Sequence, residues 1–164
     1  SFYSRLRIQD AKGNAKNHII WLAHKDHNPV NLAFQQMDEW LLALRNHPEQ
    51  SVAQVKPLSL IDQCFDAEGQ IIASGKRVFD GQWNQQPLGD CLKVFPMYST
   101  SRIQAGGTWA GDIFKCQLIS VKQAIKRGFY GNIDVSDIEE ALMETFPDGV
   151  CDYQATDIGR PSDI

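Results

Sequence analysis

The chain has 164 residues, 43% of them hydrophobic and 22% charged, with a formal net charge of −4. These are the proportions of an ordinary globular chain, long enough to bury a core in one domain or one domain plus an extension. The negative balance speaks against a nucleic-acid partner, which needs a clustered positive surface, and no apolar run approaches the roughly 18–20 residues that span a bilayer.

The sequence opens Ser1-Phe2-Tyr3-Ser4-Arg5, with no initiator Met and no signal peptide. It reads as the middle of a helix, so the expectation is a piece of a longer precursor; the alternative is a mature N-terminus left by signal cleavage. Residues 2–12 are predicted helical, with Phe2, Tyr3 and Leu6 on one side and Gly13-Asn14 as the stop. The run His18-Ile19-Ile20-Trp21-Leu22-Ala23 has strand length. Its continuous apolarity predicts a strand covered on both faces, as in a parallel sheet. A loop from Ala23 to Asn28 follows, with Asn28 as cap and Pro29 at the entrance of the next helix. Val30, Phe34, Met37, Leu41 and Leu44 recur there at helical spacing, reinforced by Ala33 and Trp40, and predict a core-facing stripe. Residues 1–46 thus read helix, strand, loop, helix, an α/β layer unit whose first helix would cross over from an earlier strand.

After Pro48 the pattern changes. Residues 48–57 read as a linker. Three short strands are predicted at Ile71-Ile72-Ala73, Arg77-Val78-Phe79 and Leu92-Lys93-Val94-Phe95, between turns at Glu68-Gly69, Ser74-Gly75 and Asp80-Gly81. Ser99 to Asp112 reads as irregular. Ser120 caps a helix over Val121–Arg127 that Gly128 stops, and Ser136-Asp137-Ile138-Glu139 has the form of a capping box. That second helix is expected to turn Ile138, Leu142 and Phe146 inward, and the tail after Tyr153 to fray. The basic pairs Lys76-Arg77 and Lys126-Arg127 read as solvated surface.

Cys64, Cys91, Cys116 and Cys151 are the only cysteines, and no C-x-x-C pair occurs. A zinc knuckle needs two ligands aimed from one tight turn, so structural zinc and dithiol redox chemistry are both disfavoured. Two disulfides fit better and imply an oxidising compartment, periplasmic or extracellular. Three pairings are possible; Cys64–Cys91 with Cys116–Cys151 is favoured, each enclosing a loop-rich segment, and four buried thiols remain the alternative.

No G-x-S-x-G, phosphate loop, dinucleotide G-x-G-x-x-G or H-E-x-x-H occurs, so no cofactor and no metal is expected. The polar cluster that could carry chemistry is His24-Lys25-Asp26-His27, after the apolar strand. A hydrolase histidine occupies such a loop, where it can take a serine proton, which makes His24 and His27 candidate catalytic residues. The plain alternative is a solvated loop. Trp83, Trp109 and Tyr130 could meet sugar rings or a partner, although aromatic residues of this kind more often cover loop-rich cores.

Several stretches carry a resemblance. They are Phe2–Arg7 leading to Gly13-Asn14-Ala15, Asn17–Trp21, Ala33–Leu41, Asp62-Gln63-Cys64, Arg102–Gly107, Ala110–Leu118 and Phe146–Tyr153. Together they resemble the C-terminal region of an uncharacterised family of exported bacterial proteins, domain of unknown function 6351, whose larger members have an α/β-hydrolase-like body. The body is also reminiscent of tannase and feruloyl esterase. The resemblance implies that nucleophile and acid lie upstream, and it agrees with the favoured disulfides. The family pattern has no obligatory histidine after the strand, and residues 74–87 exceed its usual length.

The expected fold is α+β. Residues 1–47 would be the helix-strand-helix remnant of a hydrolase-like sheet, and 48–164 a disulfide-stapled accessory segment with short strands and two short helices. The expected function is a segment, not catalytic alone, of a secreted or periplasmic protein that is possible as an ester hydrolase. Its partners would be the N-terminal part of the same protein and a small-molecule ester. The alternative is an extracellular binding or structural module.

Overall fold

The computed structural model describes residues 2–161. The fold is α+β and stapled by two disulfides, and it divides into two compact units, Ser1–Tyr98 and Ser99–Ile164. The break expected at 47/48 lies inside the first unit, because strands on either side of it share hydrogen bonds.

In the first unit, α1 (Phe2–Lys12) ends at Gly13. This glycine has φ +72° and donates its N–H to the Gln9 carbonyl, as a helix stop requires. Then come β1 (Trp21–Ala23), α2 (Val30–Asn46), β2 (Gln63–Phe65), β3 (Ile71–Ser74) and α3 (Asp90–Val94). The sheet order is β1-β2-β3; β1 runs parallel to β2, with Leu22 opposite Cys64, and β3 is antiparallel to β2. Parallel neighbours need a long crossover, and the segment containing α2 provides it. The expected strand over His18–Ala23 forms its ladder only at Trp21–Ala23. These three residues are half-buried, not covered on both faces, because β1 is the edge of the sheet.

Asn28 Oδ1 accepts the Val30 amide at the start of α2, although Pro29, and not Asn28, holds the cap position. The helix it starts, however, has no buried residue. Phe34 is 72% exposed, Met37 56% and Leu41 58%, so the stripe predicted for the core stays largely uncovered, with Ala33, Trp40 and Leu44 only half-buried.

The buried side of the unit lies under β2, whose three residues are all buried. Cys64–Cys91 ties β2 to α3. Phe2 and Tyr3 of α1 pack on Phe79 and Trp83 with ring centroids 5.2–6.4 Å apart. Trp83 is buried, so it is no sugar platform. Two predicted strands are absent. Arg77-Val78-Phe79 is a turn whose Val78 and Phe79 are both buried, and Leu92–Val94 lies in α3. The Val78 carbonyl accepts the Cys91 amide, which starts α3 after the extended Gly89. Cys91 and Leu92 are adjacent and both buried, which suits a helix face and not strand alternation.

In the second unit, α4 (Ser101–Gln104) is capped by Thr100 and shortens the stretch expected to be irregular. Strand β4 (Gln117–Ile119) pairs antiparallel with β5 (Val150–Asp152), and Cys116–Cys151 sits beside that ladder. Ser120 caps α5 (Val121–Lys126) as predicted, its hydroxyl accepting from the Gln123 amide. Gly128 follows at φ +73°. The capping box does not form: the Asp134 carboxylate takes the Ser136 amide first and leads into a 3-10 turn over Ser136–Ile138 before α6 (Glu139–Thr145). Ile138 and Phe146 consequently stay 50% and 44% exposed, not turned inward.

The basic pairs Lys76-Arg77 and Lys126-Arg127 are exposed, as expected, and Arg127 also pairs with the buried carboxylate of Asp152. The tail does not fray before residue 160: Asp157 accepts the amides of Phe114 and Lys115 at 3.0 Å, and the Ile158 amide returns to Lys115.

Candidate active-site loop and latch

His24 follows β1 directly, and its amide donates to Phe65 at the end of β2. The loop therefore stands at the carboxyl ends of two parallel strands, where open α/β sheets place their ligands. His24 Nδ1 lies 3.4 Å from an Asp26 carboxylate oxygen and 3.3 Å from the Asp26 amide. The two contacts want different tautomers. Accepting from the amide puts the ring proton on Nε2. Donating from Nδ1 to the carboxylate frees Nε2 to accept a proton, the arrangement a general base needs.

His27 is placed differently. Its ring packs on Phe65, with centroids 5.4 Å apart, and over Gly69, where an added Cβ would come within 2.6 Å of it. It buttresses the β2–β3 turn. Asp66 is also committed to that turn, its Oδ1 accepting the amides of Glu68 and Gln70. The structure thus pairs His24 with Asp26 and gives His27 a packing role. Among the described residues, neither imidazole bonds to a hydroxyl, all four thiols are in disulfides, and no group of three His, Cys, Asp or Glu side chains is placed to hold a metal. What the loop can do chemically is move a proton at His24; the atom to be attacked or to attack is not supplied with it.

Behind the loop, a latch fixes the entry to β1. Arg5 from α1 engages Asp62 with both terminal nitrogens, and its Nη2 also donates to the His18 carbonyl at 2.9 Å. Asp62 Oδ1 accepts the Ile20 amide at 2.9 Å. Trp21 Nε1 donates to the Ile61 carbonyl at 2.9 Å. Helix α1 and the approaches to β1 and β2 are thereby held together. Sequence reasoning passed over Arg5, His18 and Asp62 as functional or architectural residues; 57 positions separate Arg5 from Asp62, and no local pattern joins them.

Burial, and then the nearby positive charge that includes Arg5, holds His18 below the usual histidine range. A histidine lowered in the folded state favours folding above its unfolded value of about 6.5, and that contribution is lost as pH falls towards the folded value. The expected result is a melting temperature that declines as pH drops below about 6.5, and a His18→Gln variant in which this step is flattened. A step of unchanged size in the variant would assign it elsewhere.

Between α2 and β1 lies an apolar cleft of about 450 Å³, lined among others by Ile19, Trp21, Val30, Met37, Trp40 and Leu60. Both indoles are fixed, Trp40 by its N–H to the Val52 carbonyl at 2.7 Å. The outer face of α2 continues this apolar surface into solvent.

Comparison with known proteins adds one match. The model of a Tannase-like family of unknown function, domain of unknown function 6351, fits residues 1–162. No curated protein and no solved structure matches.

Proposed function

The chain belongs to the Tannase-like family of unknown function, and from that membership we propose that it completes the core of a larger ester hydrolase exported from the cytoplasm. The observation that carries the reading is the β1–α2–β2 unit: β1 is left at the sheet edge, and α2 has no buried residue of its own. A 17-residue amphipathic helix gains most of its stability from packing its apolar face. A face left outward is a surface for further protein, here the remainder of the same polypeptide, and the edge of β1 is where a further parallel strand of that body would pair. Export is supported by the two disulfides. No helix among the described residues is long and apolar enough to cross a membrane.

The chemistry of the whole would be acyl transfer to water. In this reading His24, turned by Asp26, supplies the base, and the nucleophile comes from outside the chain. The test compares the full-length protein with this chain on short- and long-chain aryl esters, with a serine-reactive phosphonate as label. Turnover and labelling of the full-length protein, with this chain inert, is the expected result. His24→Ala should then lower kcat by about 10²–10⁴-fold, while His27→Ala should lower stability and leave kcat within a few fold. Activity in this chain alone sinks the proposal. If neither protein reacts, the exposed α2 surface is better read as the contact face of a non-enzymatic binding module.

The same reading sets the behaviour of α2. Phe34→Ser with Leu41→Ser should change the stability of this chain by less than about 0.5 kcal/mol, because both residues are exposed. In the full-length protein the pair should cost several kcal/mol, about the scale of two buried large apolar side chains. Equal effects in both settings would mean that α2 covers nothing.

A further inference from the structure

The geometry points to a second site in the first unit, a cleft for a small organic anion formed by Lys16, Lys56 and Lys76. The three come from separate segments: the turn between α1 and β1, the stretch before β2, and the exit of β3. They line one cavity of about 560 Å³. Arg5 and Asp62 line it too, and each neutralises the other in the latch. The lining therefore holds four cations against the single carboxylate of Asp62, an excess of three positive charges in a chain whose net charge is −4.

None of the three lysines has a carboxylate within 4.0 Å among the described residues, although ion pairs form elsewhere on the surface at Lys25, Arg77 and Lys93. Lys56 is half-buried, and its Nζ donates to the Leu60 carbonyl at 2.6 Å. That bond anchors the ammonium and leaves its other protons for a ligand. The C-terminal end of α1 attracts positive charge and accounts for Lys16 by itself. It does not account for Lys56 and Lys76, which belong to other elements. Lys16 and Lys76 are exposed, and three positive charges lining one cleft give it a potential that attracts an anion.

The chemistry of the lining narrows the ligand. Lysines present point charges and not the planar fork that selects a carboxylate, so charge is read more strongly than shape. A dianionic phosphate group should bind better than a monoanion. The cavity is also larger than one oxyanion needs, and Ala15, Ile19, Ala53 and Ile61 give it apolar wall. The ligand class is a phosphate or related oxyanion carried on a small apolar body. This cleft stands independently of the ester-hydrolase reading, whose candidate base lies at the other end of β1.

The test is calorimetric titration of the full-length protein with phenyl phosphate, inorganic phosphate, benzoate and benzyl alcohol at low ionic strength. Phenyl phosphate should bind saturably at one site, more tightly than the other three, and more weakly in 0.5 M salt by about tenfold. Lys16→Ala and Lys76→Ala should each weaken it about fivefold, and Lys56→Ala at least as much. Lys122→Ala, at a residue that does not line the cleft, should leave it unchanged, and unchanged melting temperatures establish that all four variants are folded. Inorganic phosphate binding as tightly as phenyl phosphate overturns the apolar body. Absence of saturable heat, or affinity unchanged from the parent protein in all three cleft variants, overturns the site.

Discussion

Replacing Asp62 by alanine is expected to destabilise the chain by about 3 kcal/mol, more than most single substitutions. The carboxylate accepts two hydrogen bonds from Arg5 and one from the Ile20 amide, and only 13% of its side chain is exposed. Truncation leaves a guanidinium, itself 21% exposed, without its counter-charge, and a backbone N–H without an acceptor. The loss comes chiefly from those abandoned partners, since a buried pair as a whole is worth little against apolar groups of the same volume. Two further variants separate the causes. Arg5→Lys should recover little, because one ammonium cannot reproduce the fork to Asp62 and the bond to the His18 carbonyl together. Arg5→Met with Asp62→Leu should recover a large part of the loss, leaving the Ile20 amide as the main residual cost. Urea unfolding measures all four states, and a cost below about 0.5 kcal/mol for Asp62→Ala would reduce the latch to an ordinary surface pair. If the latch holds β1 in place, the same variant should also disturb the His24 loop, two residues beyond Leu22. The imidazole signals of His24 and His27 would then shift together in proton NMR.

What the sequence made legible were features decided locally. Helix α1 and its stop at Gly13, the Asn28 bond to the first amide of α2, the Ser120 cap of α5 and the stop at Gly128 each depend on a few neighbouring residues. The two disulfides follow from an even set of cysteines and a resemblance across the chain. Features that depend on tertiary contacts were read less well. Leu92–Phe95 has a strand-like composition, yet bonding between the Val78 carbonyl and Cys91 starts a helix there. Ser136 has the capping-box spacing, but Asp134, two residues earlier, takes its amide. The stripe on α2 is correctly amphipathic, and periodicity alone does not say whether the matching surface belongs to the same segment of chain. The candidate site shows the same division. The His24–Asp26 pair is two residues apart and visible as a motif. The latch of Arg5, His18 and Asp62 is assembled from three distant places, and its members look like ordinary polar residues until the sheet forms.

The largest loss is expected from removing Cys64–Cys91. Joining residues 27 apart in sequence restricts the unfolded chain by about 3.5 kcal/mol in the chain-entropy model. The bridge of Cys116 to Cys151, 35 apart, gives about the same figure. The two should nevertheless differ, because both sulfurs of the first are fully buried between β2 and α3, whereas Cys116 and Cys151 are half-buried at the side of β4 and β5. Cys64→Ala with Cys91→Ala therefore also leaves a void in the core, adding about 1–2 kcal/mol. Access follows the same order. Dithiothreitol should reduce Cys116–Cys151 in the folded chain, while Cys64–Cys91 waits for the first unit to open. Mass-resolved alkylation at increasing reductant checks this, and simultaneous loss of both bridges under native conditions would contradict it. The consequence reaches localisation. Units of this size have small cores and a stability of only a few kcal/mol. Losing about 3.5 kcal/mol from each would leave neither folded to a useful extent in a reducing compartment. Expression in a reducing cytosol should accordingly give insoluble or protease-sensitive chain, and expression into an oxidising one should give both bridges formed. Folded, reduced protein from the cytosol would remove the main physical support for export.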